Sequence, residues 1–180
     1  MTKFTTIYNC FLGKITEDMY LELTPEDTKR DLQSMLIDAI PGFEFPRHNL
    51  YDYVIEMIEI TADEITPDDF VISVDEEIVR VDNSRFNADL TMEEINILAI
   101  LMKQAWVQRQ VTSIENTRMK YSGPDFKMTS QANHLSKLLA LLEESRRDSL
   151  HMQRLYKRRK LTKEGYASNW SVLRERSAIN

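Results

Sequence analysis

Apolar positions along the chain follow two different rhythms. Ile7, Tyr8, Cys10, Phe11, Leu12 and Ile15 are spaced by three and four, the repeat of a short amphipathic helix. Thr24 and Pro25 then supply an N-cap and a proline at the first helical position. Leu32, Met35, Leu36, Ala39 and Ile40 continue as a helical stripe until Pro41 and Gly42 stop it. Residues 43–52 hold another proline and several polar side chains and read as a connection.

Between Tyr53 and Arg85 the rhythm changes. Val54, Ile55, Ile58 and Ile60, then Phe70, Val71, Ile72 and Val74, then Ile78, Val79 and Val81 form β-branched clusters separated by acidic turn residues, which predicts two or three strands. The segment 71–81 reads as a hairpin with its tip at Asp75, Glu76 and Glu77. Two strands are marginal in water, so this element is expected to rest on the helices or on another subunit.

Thr91 and Glu94 form a capping box, in which hydroxyl and carboxylate each satisfy a free backbone N–H. Ile95, Leu98, Ala99, Met102 and Trp106 follow on one helical face, with no breaker before Ser122-Gly123-Pro124. That spacing allows a helix of roughly 30 residues, about 45 Å long. A last helix starts near Thr129 or Ser130 and keeps Leu135, Leu138, Leu139, Leu142, Met152 and Leu155 in register. Its basic end, Lys157, Arg158, Arg159 and Lys160, suits the negative pole of the helix dipole. The pattern as a whole predicts a mainly α fold: a small helical bundle with two long helices, an inserted β-hairpin at about 53–85, and one domain over 1–160. Residues 161–180 are expected to form an extended C-terminal arm. Tyr166 and Trp170 in that arm are costly to leave in water, and are expected to be buried by a neighbour.

Composition narrows the function classes. At 180 residues, 42% hydrophobic and 29% charged, the chain fits one soluble globular domain. Cys10 is the single cysteine, so an internal disulfide or a multi-cysteine zinc site is excluded. Four glycines and the absence of G-x-G-x-x-G and G-x-x-x-x-G-K-[ST] argue against nucleotide chemistry. No run of about 18 apolar residues and no signal-peptide pattern is present, so the expectation is a protein neither inserted in a membrane nor exported.

The net charge of −6 conceals a gradient. Residues 1–100 carry 7 basic against 22 acidic side chains, whereas residues 146–180 carry 10 against 3. Such polarity favours head-to-tail attraction or an acidic partner.

Candidate chemistry is sparse. His48, His134 and His151 lack the spacing that places two ligands on one helix face, so no metal and no cofactor is expected. No G-x-S-x-G elbow is present, and Cys10 lies in an apolar stripe where a free cysteine behaves as a small hydrophobe. The pairs Asp63-Glu64 and Asp68-Asp69 and the run Asp75-Glu76-Glu77 lack a calcium-loop pattern and read as a solvated acidic rim. Around a duct, the same rim would repel phosphates and keep a passing nucleic acid from sticking. The basic run Tyr156-Lys157-Arg158-Arg159-Lys160 could hold DNA phosphates, but no base-reading element accompanies it, and a solvated helix end or a subunit contact is the alternative.

Phe86 to Ile95, continuing through Ile97-Leu98-Ala99-Ile100-Leu101-Met102 to Trp106, resembles neck proteins of tailed bacteriophages, particularly those of Gram-positive hosts. So do Ile114-Glu115-Asn116-Thr117-Arg118, Asp125-Phe126-Lys127 and Ser130 to Leu135 that follow. The order of these pieces over about residues 86–156 is similar to the head–tail connector, or head-completion adaptor, group. The resemblance implies a structural, non-enzymatic protein that forms a homo-oligomeric ring of about twelve subunits. Such a ring sits in the virion neck below the portal protein, lets double-stranded DNA pass, and offers the next neck or tail-completion protein a docking surface. Assembly would take place in the host cytoplasm. Under that reading Tyr166, Trp170, Arg158 and Arg159 are candidates for a subunit or portal interface, and Asp75, Glu76 and Glu77 for channel-facing acids. The alternative is a small nucleic-acid-binding regulator that uses the basic C-terminal helix.

Overall fold

A computed structural model describes residues 1–15, 19–75, 78–120, 129–162 and 165–168. Strand β1 (Thr2–Lys3) runs into helix α1 (Phe4–Leu12), followed by α2 (Met19–Glu22), α3 (Pro25–Ala39) and a 3-10 turn (Ile40–Gly42). Next come β2 (Tyr53–Val54), β3 (Met57–Thr61), a 3-10 turn (Ala62–Glu64), β4 (Phe70–Asp75), β5 (Ile78–Asp82) and β6 (Arg85–Phe86). Two long helices, α4 (Met92–Lys120) and α5 (Thr129–Arg158), lead to a two-stranded hairpin, β7 (Arg159–Thr162) with β8 (Gly165–Ser168).

This architecture corrects the expectation of a mainly α bundle with one inserted hairpin and an extended arm. The chain is α+β. Residues 53–86 supply five strands to two three-stranded antiparallel sheets, ordered β1-β6-β2 and β3-β5-β4. The 71–81 hairpin exists, with Val71 opposite Val81, Val74 opposite Val79 and a register shift between Val71 and Ser73; β3 adds a third strand on its other side. The first sheet joins residues 2–3 to 85–86 and 53–54, pairs too short to leave any alternation in the sequence. The start of the expected arm is β7 and β8, paired with each other.

Helix starts follow the local chemistry. Thr24 Oγ1 accepts from Asp27 N at 3.2 Å, with Pro25 at the first helical position. Thr91 Oγ1 accepts from Glu94 N at 3.3 Å while Glu94 Oε2 accepts from Thr91 N at 2.7 Å, the predicted capping box.

The main core lies where α1, α3 and the first half of α4 meet. Phe4, Ile7, Tyr8 and Phe11 come from α1, Leu32, Met35, Leu36 and Ala39 from α3, and Ile95, Ile97, Leu98, Ala99, Leu101 and Met102 from α4. The expected single apolar face of α4 is therefore too narrow: Ile97 and Leu101 are buried as well, as in a central helix covered on several sides. Gly42 permits close approach there, since a Cβ at that position would lie 3.1 Å from Leu101 Cδ2. A second cluster, Val107 and Val111 with Leu135, Leu138 and Leu142, joins the far half of α4 to α5, and Trp106 packs against both clusters.

The sheets are tied to the helices by ions as well as by packing. Asp82, buried at the end of β5, accepts from Ser84 N at 3.1 Å and lies 3.8 Å from Lys29 Nζ of α3. Its charge adds to the effect of burial in pushing the Tyr8 hydroxyl well above its ordinary value. Lys3 Nζ reaches Asp69 Oδ1 at 2.7 Å, clamping β1 to the turn before β4.

The Lys3 ammonium, together with the Thr66 amide and hydroxyl, holds the Asp69 carboxyl down at about 2. A depressed acid stabilises the fold above its unfolded value of 3.8 and loses that contribution as pH falls toward 2. Asp69→Asn is expected to cost roughly 1–2 kcal/mol near neutral pH. Denaturant unfolding of both proteins against pH should show the gap closing through the acid range; a gap independent of pH would refute the clamp.

Candidate interface at the basic end of helix 5

The last two turns of α5 turn one face toward α4 and another toward solvent. Tyr156 is 1% exposed although it opens the Tyr-Lys-Arg-Arg-Lys run, and its hydroxyl donates to Glu94 Oε1. The Tyr156 hydroxyl oxygen in turn accepts from the Arg47 backbone N–H at 3.1 Å. Phe43 packs edge-on against the Tyr156 ring at 5.3 Å, and the Arg47 guanidinium sits 4.3 Å above it. One turn earlier, Gln153 accepts from Glu44 N at 2.8 Å and donates to the Gly42 carbonyl at 3.2 Å. The connection after α3 is thus stitched to α5 by two side chains three residues apart.

Glu94 is the hub of this knot. The carboxylate is fully buried, with Oε2 accepting from the Thr91 amide and hydroxyl and Oε1 from Tyr156. Burial first, then the hydrogen bond to Glu94, push the Tyr156 phenol well above its ordinary value of 10.0. Sequence reasoning placed Tyr156 in a surface run; the signal it missed is the helical spacing of Met152 and Tyr156 on the inner side of α5.

Several basic residues around the knot are engaged. Arg159 Nη1 lies 3.0 Å from Glu93 Oε1, and its carbonyl accepts from the Arg47 guanidinium. Lys157 Nζ sits 3.8 Å above the ring of Phe45. Arg158 is exposed. Tyr166 lies in β8 opposite Leu161, while Trp170, Glu76 and Glu77 fall outside the described residues. Asp75 ends β4, exposed, in the acidic three-stranded sheet. The structure therefore joins Arg158 and Arg159 to the hairpin that carries Tyr166, and gives Asp75 a separate place.

Elsewhere the chemistry remains thin. His48, His134 and His151 are exposed, and among the described residues no group of three His, Cys, Asp or Glu could hold a metal ion. Cys10 packs half-buried against the main core, its Sγ 4.0 Å from Asn96 Oδ1. A groove of about 500 Å³ between α3 and α4 is lined in part by Leu23, Asp31, Trp106 and Arg109. Arg109 is bound there to Asp31 and reaches Asp38 at 3.7 Å, and Tyr20 donates to Asp31 at 2.9 Å, so these polar groups partner one another. No helix of the described residues is long and apolar enough to cross a membrane.

Tyr156→Phe leaves the buried Glu94 carboxylate short of one donor and the Arg47 amide without its acceptor, and should destabilise the fold by about 2 kcal/mol. A phenol whose value is raised by folding stabilises fully below 10.0, and that contribution is lost as pH rises beyond it. Wild-type stability should therefore fall in the alkaline range more steeply than that of Tyr156→Phe, as read from thermal melts over a pH series. Parallel curves would show that the hydroxyl is not held as described.

No family model, curated protein or solved structure matches this chain.

Proposed function

We propose that the chain is a structural subunit of a bacteriophage neck, a ring that joins the portal protein of the capsid to the tail and extends the channel for double-stranded DNA. The order of sequence pieces over residues 86–156 suggests the family. The observation that carries the reading physically is an acidic sheet with unpartnered apolar side chains in the same chain as a basic helix end fixed by hydrogen bonds. A heterologous ring needs two unlike, mutually attractive surfaces on each copy, because one patch meets a different patch next door.

The role proposed is mechanical. The wall of the ring is formed by α4 and α5, and the stretch after Arg158 reaches a neighbour or the portal. The Glu93–Arg159 pair and the Lys157–Phe45 contact weigh against a DNA-gripping regulator, since both draw cations of the basic run into contacts within the chain. On this reading the protein is found in the virion neck and, during assembly, in the host cytoplasm.

Light scattering of the purified protein, alone and with portal particles, tests the proposal. A ring of about twelve copies, or a monomer that loads many copies onto a portal, is the expected outcome. A stable monomer or dimer that ignores portals and retains duplex DNA at low salt would replace the neck reading with the regulator. Replacing Tyr166 and Trp170 together by alanine should weaken ring or portal association about tenfold or more; unchanged assembly would remove them as interface anchors.

A further inference from the structure

The β3-β5-β4 sheet and its flanks combine two properties that do not usually coexist on a solvated surface. Residues 51–85 carry 11 acidic side chains against 2 basic ones, and remain acidic after Asp69 is paired with Lys3, Asp82 with Lys29 and Glu59 with Arg80. The same stretch holds seven of the exposed large apolar residues, among them Ile55 at 51%, Met57 at 60%, Val74 at 63% and Ile78 at 50% exposure. Met57 and Ile78 lie on the face that carries Glu59 and Arg80, and Val74, opposite Val79, on the other; grouped exposed apolar side chains mark a contact surface.

Backbone geometry adds a third property. With β5 in the middle, β3 and β4 are edge strands; α3 packs against β4, whereas the outer side of β3 pairs with nothing among the described residues. Acidic side chains such as Glu59 would by themselves guard an open edge against chance pairing. Exposed Met57 and Ile55 beside it do the opposite, inviting an occupant that is itself apolar and basic.

One stretch of this chain has that chemistry. Residues 158–180 carry six basic against two acidic side chains, together with Leu161, Tyr166, Trp170, Val172 and Leu173. Its described part, β7 with β8, is a two-stranded sheet apart from the acidic one, and two strands gain stability mainly by joining more. We infer that the acidic β3-β5-β4 sheet of one copy is the docking surface for the C-terminal stretch 158–180 of a second copy, with the open β3 side as its seat. The inference rests on the proposal above that copies assemble, and names the two surfaces that meet.

The contact joins opposite charges around apolar anchors, so it is salt-sensitive and heterologous. Copies linked this way pass the same contact from one to the next, closing into a ring if the rotation permits. Acids at the interface would face Arg158, Lys160 and Lys163 of the neighbour.

Zero-length carbodiimide cross-linking of full-length protein, mixed equally from ¹⁴N- and ¹⁵N-labelled chains and read by peptide mass spectrometry, tests this. Mixed-isotope links should join Lys160 or Lys163 to carboxylates at Asp63, Glu64, Asp68 or Asp75. Asp63→Lys with Asp75→Lys, or Lys160→Glu with Lys163→Glu, should each weaken association about tenfold, and all four changes in one chain should restore it. Links confined to one isotope would overturn the inference, since the stretch would then lie on its own sheet. Copies that associate through other links, untouched by either reversal, would also overturn it while leaving the ring standing. A chain that gives no mixed-isotope link and stays monomeric refutes the contact, and the ring is then judged by the portal experiment alone.

Discussion

A carboxylate taken out of water costs several kcal/mol unless its oxygens find donors, and Glu94 is fully buried with both oxygens occupied. One oxygen closes the capping box that starts α4; the other receives the Tyr156 hydroxyl from α5. The first turn of one long helix and the last turns of the other are thus locked to the same group. Tyr156 in turn holds the Arg47 amide, so the connection after α3 is fixed by the same hydroxyl. Helix α4 is the element that α1, α3 and α5 all pack against, which makes the position of its first turn a constraint on the whole helical part.

How much of this was legible from the sequence depends on how local each device is. The caps at Thr24 and Thr91 are written in four residues each and appear as predicted. So do the stripe of α3 and, apart from exposed Leu139, that of α5, because a helical period repeats often enough to stand out from noise. The two-residue strands of the β1-β6-β2 sheet carry no such repeat; they exist because Thr2 meets Phe86 and Tyr53 meets Phe86 across long sequence separations. Reading the clusters Asp63-Glu64, Asp68-Asp69 and Asp75-Glu76-Glu77 as a solvated rim fits exposed Asp63 and Asp68 but not Asp69, which Lys3 draws into a clamp. Asp82, which Ser84 and Lys29 allow to be buried, had no signal in the sequence.

The candidate site shows the same division. Arg158 and Arg159 were visible as charge, and charge alone suggested a nucleic acid. Which cations are available follows from tertiary contacts that no spacing announces: Glu93 takes Arg159, the Phe45 ring takes Lys157, and the buried phenol beneath them fixes the direction in which the helix ends. Tyr156 was the most informative residue in that run and the least conspicuous, since its basic neighbours masked its place on the inner face.

A rigidly held basic end has an energetic consequence for assembly. Two flexible partners lose backbone and side-chain entropy together when they meet, at roughly 1–2 kcal/mol per ordered residue. In this fold the acidic sheet is already formed and stapled to β1 and α3 through Lys3–Asp69 and Lys29–Asp82, and α5 is already fixed up to Arg158 by Gln153 and Tyr156. If copies associate as inferred, the apolar anchors and the charge of the short stretch beyond the helix end govern the contact.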